Sequence, residues 1–147
     1  MIWTLYFDGL CEPQNPGGWM VWAWALDDRT GSGFANPHTG NTNNKAEWYA
    51  LGCGLVAVGE RIKAAGKPIR LNICGDSMLV IKQLNNEWRC NDAHLRACRD
   101  RCFCLLNEMR IDWEAWHIPR DENRVADNLG RRKFREVAGF DPPVRAA

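Results

Sequence analysis

Four carboxylates stand out by position: Asp8, Glu47, Asp76 and Asp127. Asp8 closes an apolar segment, residues 2–7, and an acid at the end of a core strand is costly to desolvate unless a partner meets it. Asp76 follows the short apolar run "IRLNICG", while Glu47 and Asp127 fall in the first turns of two helical patterns. Taken singly, each has an ordinary explanation. Acids favour helix N-termini, and Asp76 suits a cap or turn. Taken together they allow more. If the strands carrying Asp8 and Asp76 lie side by side, with Glu47 and Asp127 reaching in from helices, the four charges repel. Hard divalent cations, Mg²⁺ or Mn²⁺, relieve such repulsion through carboxylate, water and phosphate ligands. One or two such ions in one site suit phosphodiester hydrolysis, where they activate a water and stabilise the leaving oxygen.

The elements that must position these acids follow from hydrophobic period. Residues 2–8 alternate, with Trp3, Leu5 and Phe7 on one face, and predict a strand that Asp8 ends. Residues 18–28 alternate again, turn at Asp27-Asp28-Arg29-Thr30-Gly31, and lead to a third strand at about residues 32–38. The period then changes. Trp48, Leu51, Leu55, Val58 and Ile62 keep to one helical face, with Thr42 or Asn43 as cap and Gly66 at the end. Gly52, Gly54 and Gly59 weaken that helix by propensity, and close packing on a sheet would account for them. A fourth strand carries Ile69, Leu71 and Ile73 on one side and ends at Asp76; Ser77 then caps a helix over residues 78–88. A longer helix at about residues 92–109, a strand at 110–119 and a last helix at 121–139 complete the pattern. This order predicts an α/β fold: a mixed five-stranded sheet, antiparallel in strands 1–3 and parallel in strands 4 and 5, flanked by helices. Residues 1–140 read as a single domain and 141–147 as a flexible tail.

Composition is that of an ordinary globular chain, 46% hydrophobic and 25% charged, with a formal net charge of only +1. A global electrostatic case for nucleic-acid binding therefore fails, and any such case rests on local patches. No run approaches membrane-spanning length and the start "MIWTLYF" has no signal-peptide pattern, so the expectation is a cytoplasmic protein with no membrane association. Cys90, His94, Cys98 and Cys102 recur every four residues. Spread along one helix they would span roughly 18 Å, too far for one tetrahedral zinc ion, so small buried hydrophobes are the better reading.

The four blocks "YFDGLCEPQNPGG", "TNNKAEW", "GDSMLVIKQLN" and "IPRDENRVADNLGRR" resemble the signature blocks of type 1 ribonuclease H, in that family's order and over about residues 2–135. Their form is most similar to its archaeal-like branch, which lacks a basic protrusion. The resemblance implies the RNase H-like fold and metal-binding acids at Asp8, Glu47, Asp76 and Asp127. It also implies dependence on Mg²⁺ or Mn²⁺ and endonucleolytic cleavage of the RNA strand of RNA/DNA hybrids, giving 5′-phosphate products. Spacing from His117 and Asn123 puts the fourth acid at Asp127 rather than at its neighbour Asn128. The family's mobile histidine falls on His117, here in the strand-like "AWHIPRDEN" instead of a glycine-flanked loop. Arg120 is a rival for contacting phosphate.

The family's substrate-contacting positions fall on the loop residues Gly9, Leu10 and Cys11, on Asn15, and on Thr42, Asn43 and Asn44. Backbone groups and asparagines suit recognition of a 2′-hydroxyl, which both donates and accepts. Met78 stands where the family often has glutamine. With no protrusion, Trp88 is the candidate to stack on a sugar or base, and two basic clusters, Arg89, Arg96, Arg99 and Arg101 and then Arg131, Arg132 and Lys133, are open to two readings, attraction of phosphate or a solvated helix face. The expectation is a monomer acting on a hybrid. Alternatives from other classes are a hybrid- or RNA-binding module with weak or no catalysis, and a related nuclease that cuts DNA.

Overall fold

The alternation of residues 2–8 does form a strand, but the strand does not stop at Asp8. The structure, a computed structural model, describes residues 1–144. In it β1 (Ile2–Glu12) continues four residues beyond the acid before Pro13 ends it. It is followed by β2 (Trp19–Leu26), β3 (Arg29–Ala35), α1 (Asn43–Ala65), β4 (Arg70–Gly75), α2 (Met78–Leu84), α3 (Ala93–Met109), β5 (Trp113–His117) and α4 (Arg124–Ala138). A single 3-10 turn, Arg120–Glu122, precedes α4. The sheet order is β3-β2-β1-β4-β5. β1 pairs antiparallel with β2 and β2 with β3, whereas β4 runs parallel to β1 and β5 parallel to β4. This is the mixed sheet that the sequence implies.

Several boundaries move. The β2–β3 turn is only Asp27-Asp28, so β3 starts at Arg29 rather than near residue 32. α2 stops at Leu84, and α4 starts at Arg124 because the preceding residues form the 3-10 turn. Ile69 precedes β4 and is 72% exposed, apart from the buried Leu71 and Ile73. The expected caps hold: Thr42 Oγ1 accepts from Lys45 N–H at 3.1 Å and Ser77 Oγ from Val80 N–H at 3.3 Å; Asp92, which the pattern places inside the third helix, is its cap, with Oδ1 accepting from Leu95 N–H at 2.9 Å. Of the expected tail, residues 145–147 lie outside the described residues. Asp141 pairs with Arg135, and Arg131 donates to the Pro142 and Pro143 carbonyls. No helix among the described residues is long and apolar enough to cross a membrane.

One face of the sheet is covered by α1, α2 and α3, whose core includes Trp3, Leu5, Phe7, Leu51, Leu55, Ile73 and Leu106. On the other face, Phe134 of α4 packs on Leu10 and Val21. Cys90, Cys98 and Cys102 belong to the first core as small hydrophobes, and all seven cysteines are free thiols. Burial of each large side chain here is worth about 1.5–3 kcal/mol, enough to hold α1 in place despite its glycines. Gly54 is itself part of the packing, since a Cβ there would sit 2.8 Å from Leu5 Cδ1.

Gly9 explains why β1 runs on through what reads as a break. A Cβ on Gly9 would lie 2.4 Å from the Ala46 carbonyl carbon and the Glu47 nitrogen, so the first turn of α1 rests directly on β1 beside Asp8. Gly9→Ala should therefore lift α1 from the strand. Overpacking of this kind costs about 3 kcal/mol, or roughly 9 °C in a chain this size. A melting curve would check it; an unchanged midpoint would show that the helix is not seated on this glycine.

Candidate active site

The register of the sheet opens a notch at Asp8. Pairing of β1 with β4 ends at Phe7↔Gly75, whereas pairing with β2 continues through Asp8↔Ala23 to Glu12↔Trp19. Asp8 is thus mid-strand toward β2 and just past the end of β4. The chain leaves β4 at Gly75, and Asp76 follows immediately, before Ser77 caps α2. From above, the close seat of α1 on Gly9 brings Glu47 to the same point. Ligand oxygens of Asp8, Glu47 and Asp76 all lie within 4.8 Å of one another. Asp8 is 2% exposed, Glu47 6%, and the Asp76 side chain 6%.

Three acids so close and so dry cannot all ionise freely. Burial, then the charge of Asp8, then that of Asp76, push the Glu47 carboxyl well above its ordinary range; a hydrogen bond with Asp8 adds to this, and the Gly9 N–H partly offsets it. Glu47 Oε2 is buried without a hydrogen-bond partner. A polar atom left this way in a cluster of hard oxygen donors fits a hard divalent cation. Arg120 brings a cationic group to the cluster, with its Nε 3.9 Å from Asp76 Oδ2.

The fourth acid sits differently. Asp127, in the first turn of α4, is half-buried with its Oδ1 fully buried, but it does not join the set of three. Its neighbour Asn128 is exposed on the outer face of α4 beside Val125 and Leu129, so of the two only Asp127 turns inward. His117 is the last residue of β5, exposed, and paired with Gly75 next to Asp76.

Gly9, Leu10, Cys11, Asn15, Asn43 and Arg120 line one groove that runs to Glu47. Gly9, Leu10 and Cys11 are strand residues, not a loop, because β2 stays paired with them. The side chains of Leu10 and Cys11 are committed to the interior, which leaves the backbone to meet a ligand. Asn15 Oδ1 accepts from the Asn43 N–H at 3.1 Å and ties the β1–β2 loop to the start of α1. Thr42 is the α1 cap, and Asn44 is half-buried in the first turn. Two residues escaped the sequence reading. Glu12 lines the groove, and Asn123 is 1% exposed with Nδ2 2.9 Å from the Phe7 carbonyl. The signal for Asn123 was present, an asparagine four residues before Asp127, but only its value as a spacing marker was visible.

Comparison with known proteins bears on the same residues. The family described as "Reverse transcriptase-like" matches residues 7–133, a span that contains all four acids. The chain is 39% identical over 129 residues to the ribonuclease HI of Halobacterium salinarum, covering 84% of this chain and 60% of that protein. It therefore spans about 60% of the length of this curated relative. The crystal structure of ribonuclease H1 from the same halophilic archaeon superposes with a TM-score of 0.77 at 31% identity, covering 92% of this chain and 99% of that one. LC11-RNase H1, crystallised with an RNA/DNA hybrid, shares the fold at a TM-score of 0.81 and 19% identity, over 92% of this chain and 99% of that one. A matching family over most of the chain, a crystallised ribonuclease H1 chain covered almost end to end at 31% identity, and the sheet with its acids at one notch agree: the chain belongs to the type 1 ribonuclease H family.

Proposed function

We propose that this chain is an endoribonuclease that hydrolyses the RNA strand of RNA/DNA hybrids, leaving 5′-phosphate ends. The observation that carries the reading is the convergence of Asp8, Glu47 and Asp76 within 4.8 Å at the head of a groove lined by backbone and asparagine. Asp8, Glu47 and Asp76 would hold one or two Mg²⁺ or Mn²⁺ ions, with Asp127 completing the site from α4. When bound, such ions lower the pKa of a water and offset charge on the leaving oxygen.

The protein's own groups supply position and recognition. The β1 backbone at Gly9, Leu10 and Cys11, with Asn15, Asn43 and Asn44, offers donors and acceptors to 2′-hydroxyls, which a DNA strand lacks. Thr42 and Arg120 bind phosphate, and Arg120 brings positive charge to an otherwise anionic notch. His117, exposed at the end of β5, is the group available for moving a proton or helping product leave. We read residues 1–140 as the functional domain of a cytoplasmic monomer.

A labelled 12-mer hybrid, with matching duplex RNA and duplex DNA, tests this in Mg²⁺, Mn²⁺ or EDTA. Cutting of the hybrid's RNA strand alone, abolished by EDTA, is the expected result. Binding without cutting would favour a binding module, and cleavage of duplex DNA would favour a related DNA nuclease. Arg120→Ala should raise KM for the hybrid about fivefold, the loss of ~1 kcal/mol, and leave kcat nearly unchanged. It should also lower the slope of log affinity against log salt by about 0.9, because one phosphate contact is gone. A salt series on both proteins measures this, and equal slopes would remove Arg120 from the substrate path.

A further inference from the structure

Three of the four helices start with a side-chain cap, from Thr42, Ser77 and Asp92. At the start of α4 the cap position holds Asn123, a residue type well suited to the task, yet its side chain makes no cap hydrogen bond. It is turned into the end of the sheet. Its Nδ2 lies 2.9 Å from the Phe7 carbonyl and 3.5 Å, the limit of a hydrogen bond, from Asp76 Oδ2. These two acceptors define the amide's orientation, since the flipped form would set its oxygen against a carbonyl and a carboxylate. Asn123 Oδ1 is buried with no hydrogen-bond partner. An uncapped helix and an unmet acceptor both work against stability, so local folding does not account for this arrangement.

What the arrangement does is join the elements that carry the acids. Through the Phe7 carbonyl it holds the peptide that leads into Asp8, and directly it touches Asp76. Its own carbonyl accepts from the Asp127 N–H at 3.0 Å in the first turn of α4. We propose that Asn123 is a positioning residue for divalent-ion binding, holding Asp76 and the Phe7–Asp8 peptide in the relation at which their carboxylates converge with Glu47. This rests on the reading of the acid cluster as an ion site, but not on which nucleic acid is cut.

The test is Asn123→Ser, which supplies a cap hydroxyl but is too short to hold both acceptors. Its melting point in EDTA should stay within about 3 °C of the parent, since a cap is gained where a tie is lost. Calorimetric titration with Mn²⁺ alone should show affinity weakened about 10- to 100-fold, the usual effect of removing a partner of a metal ligand. kcat should fall in step, with KM for the hybrid unchanged. In the parent, the side-chain amide resonances of Asn123 should shift as Mg²⁺ is added. Unweakened Mn²⁺ binding by the folded serine variant would overturn the proposal. So would an Asn123 amide in the parent that ignores saturating Mg²⁺, a measurement that needs no variant to fold. A parent that binds Mn²⁺ but cuts no hybrid would overturn the substrate reading and leave the role of Asn123 standing, provided the variant binds more weakly.

Discussion

Asp8→Asn should reduce kcat/KM on an RNA/DNA hybrid by about 1,000-fold, close to 4 kcal/mol of transition-state stabilisation, while the metal-free protein melts no lower than the parent. The two halves of this result have one cause. Asp8 is 2% exposed and shares a 4.8 Å cluster with Glu47 and Asp76, so its charge is costly to hold beside two other buried acids unless a cation offsets it. Asparagine keeps the shape and one oxygen but gives up the charge. Among the three acids repulsion falls, and the fold gains or holds stability. Activity assays in Mg²⁺ beside thermal melts in EDTA would separate this from simple unfolding. A variant that keeps a tenth of the parent's activity would mean that Asp8 is not at the centre of the chemistry.

Glu47→Gln should stabilise the metal-free protein at neutral pH and abolish cleavage. The native carboxyl of Glu47 is raised well above its usual range by burial and by Asp8 and Asp76. Below the unfolded pKa, about 4.3, both states hold the proton and nothing is lost. Above it the unfolded chain releases its proton while the native chain keeps it. Native stability therefore falls as pH rises through this window, by about 1.4 kcal/mol per pH unit at most, until the raised native pKa is reached. Glutamine removes this dependence. In EDTA the melting points of parent and variant should lie closest near pH 4 and spread apart toward pH 8, with the variant higher. Adding Mg²⁺ should close the gap from the parent's side, because only the parent binds the ion well. A parent as stable as the variant at pH 8 without metal would contradict the buried, crowded state of Glu47.

Both predictions depend on a detail of β1 that alternation alone misses. The glycine after Asp8 looks like the end of a strand, and the run "GLCEPQNPGG" looks like a turn. In the fold, Gly9 is there because α1 needs the space above it, and the strand continues to Glu12. The break signal was real but came four residues later, at Pro13. Likewise the glycine at position 54, a weakness by helix propensity, is a contact with Leu5.

The element types, their order and the caps at Thr42 and Ser77 are short-range properties. Each depends on period and on neighbours within a few residues, and so each was open to reading from the chain alone. The four blocks in order carried the family as well. Only the tertiary structure decided that Asp8, Glu47 and Asp76 form the tight group while Asp127 stands apart from it. It alone showed that Asn123 gives up its cap to bond the Phe7 carbonyl and approach Asp76. Those outcomes depend on where parallel pairing of β1 with β4 stops, at Phe7↔Gly75, and on how closely α1 seats on the strand. Alternation fixes which face of each strand is buried, but where the pairing of segments far apart in sequence begins and ends is settled only when the whole core packs.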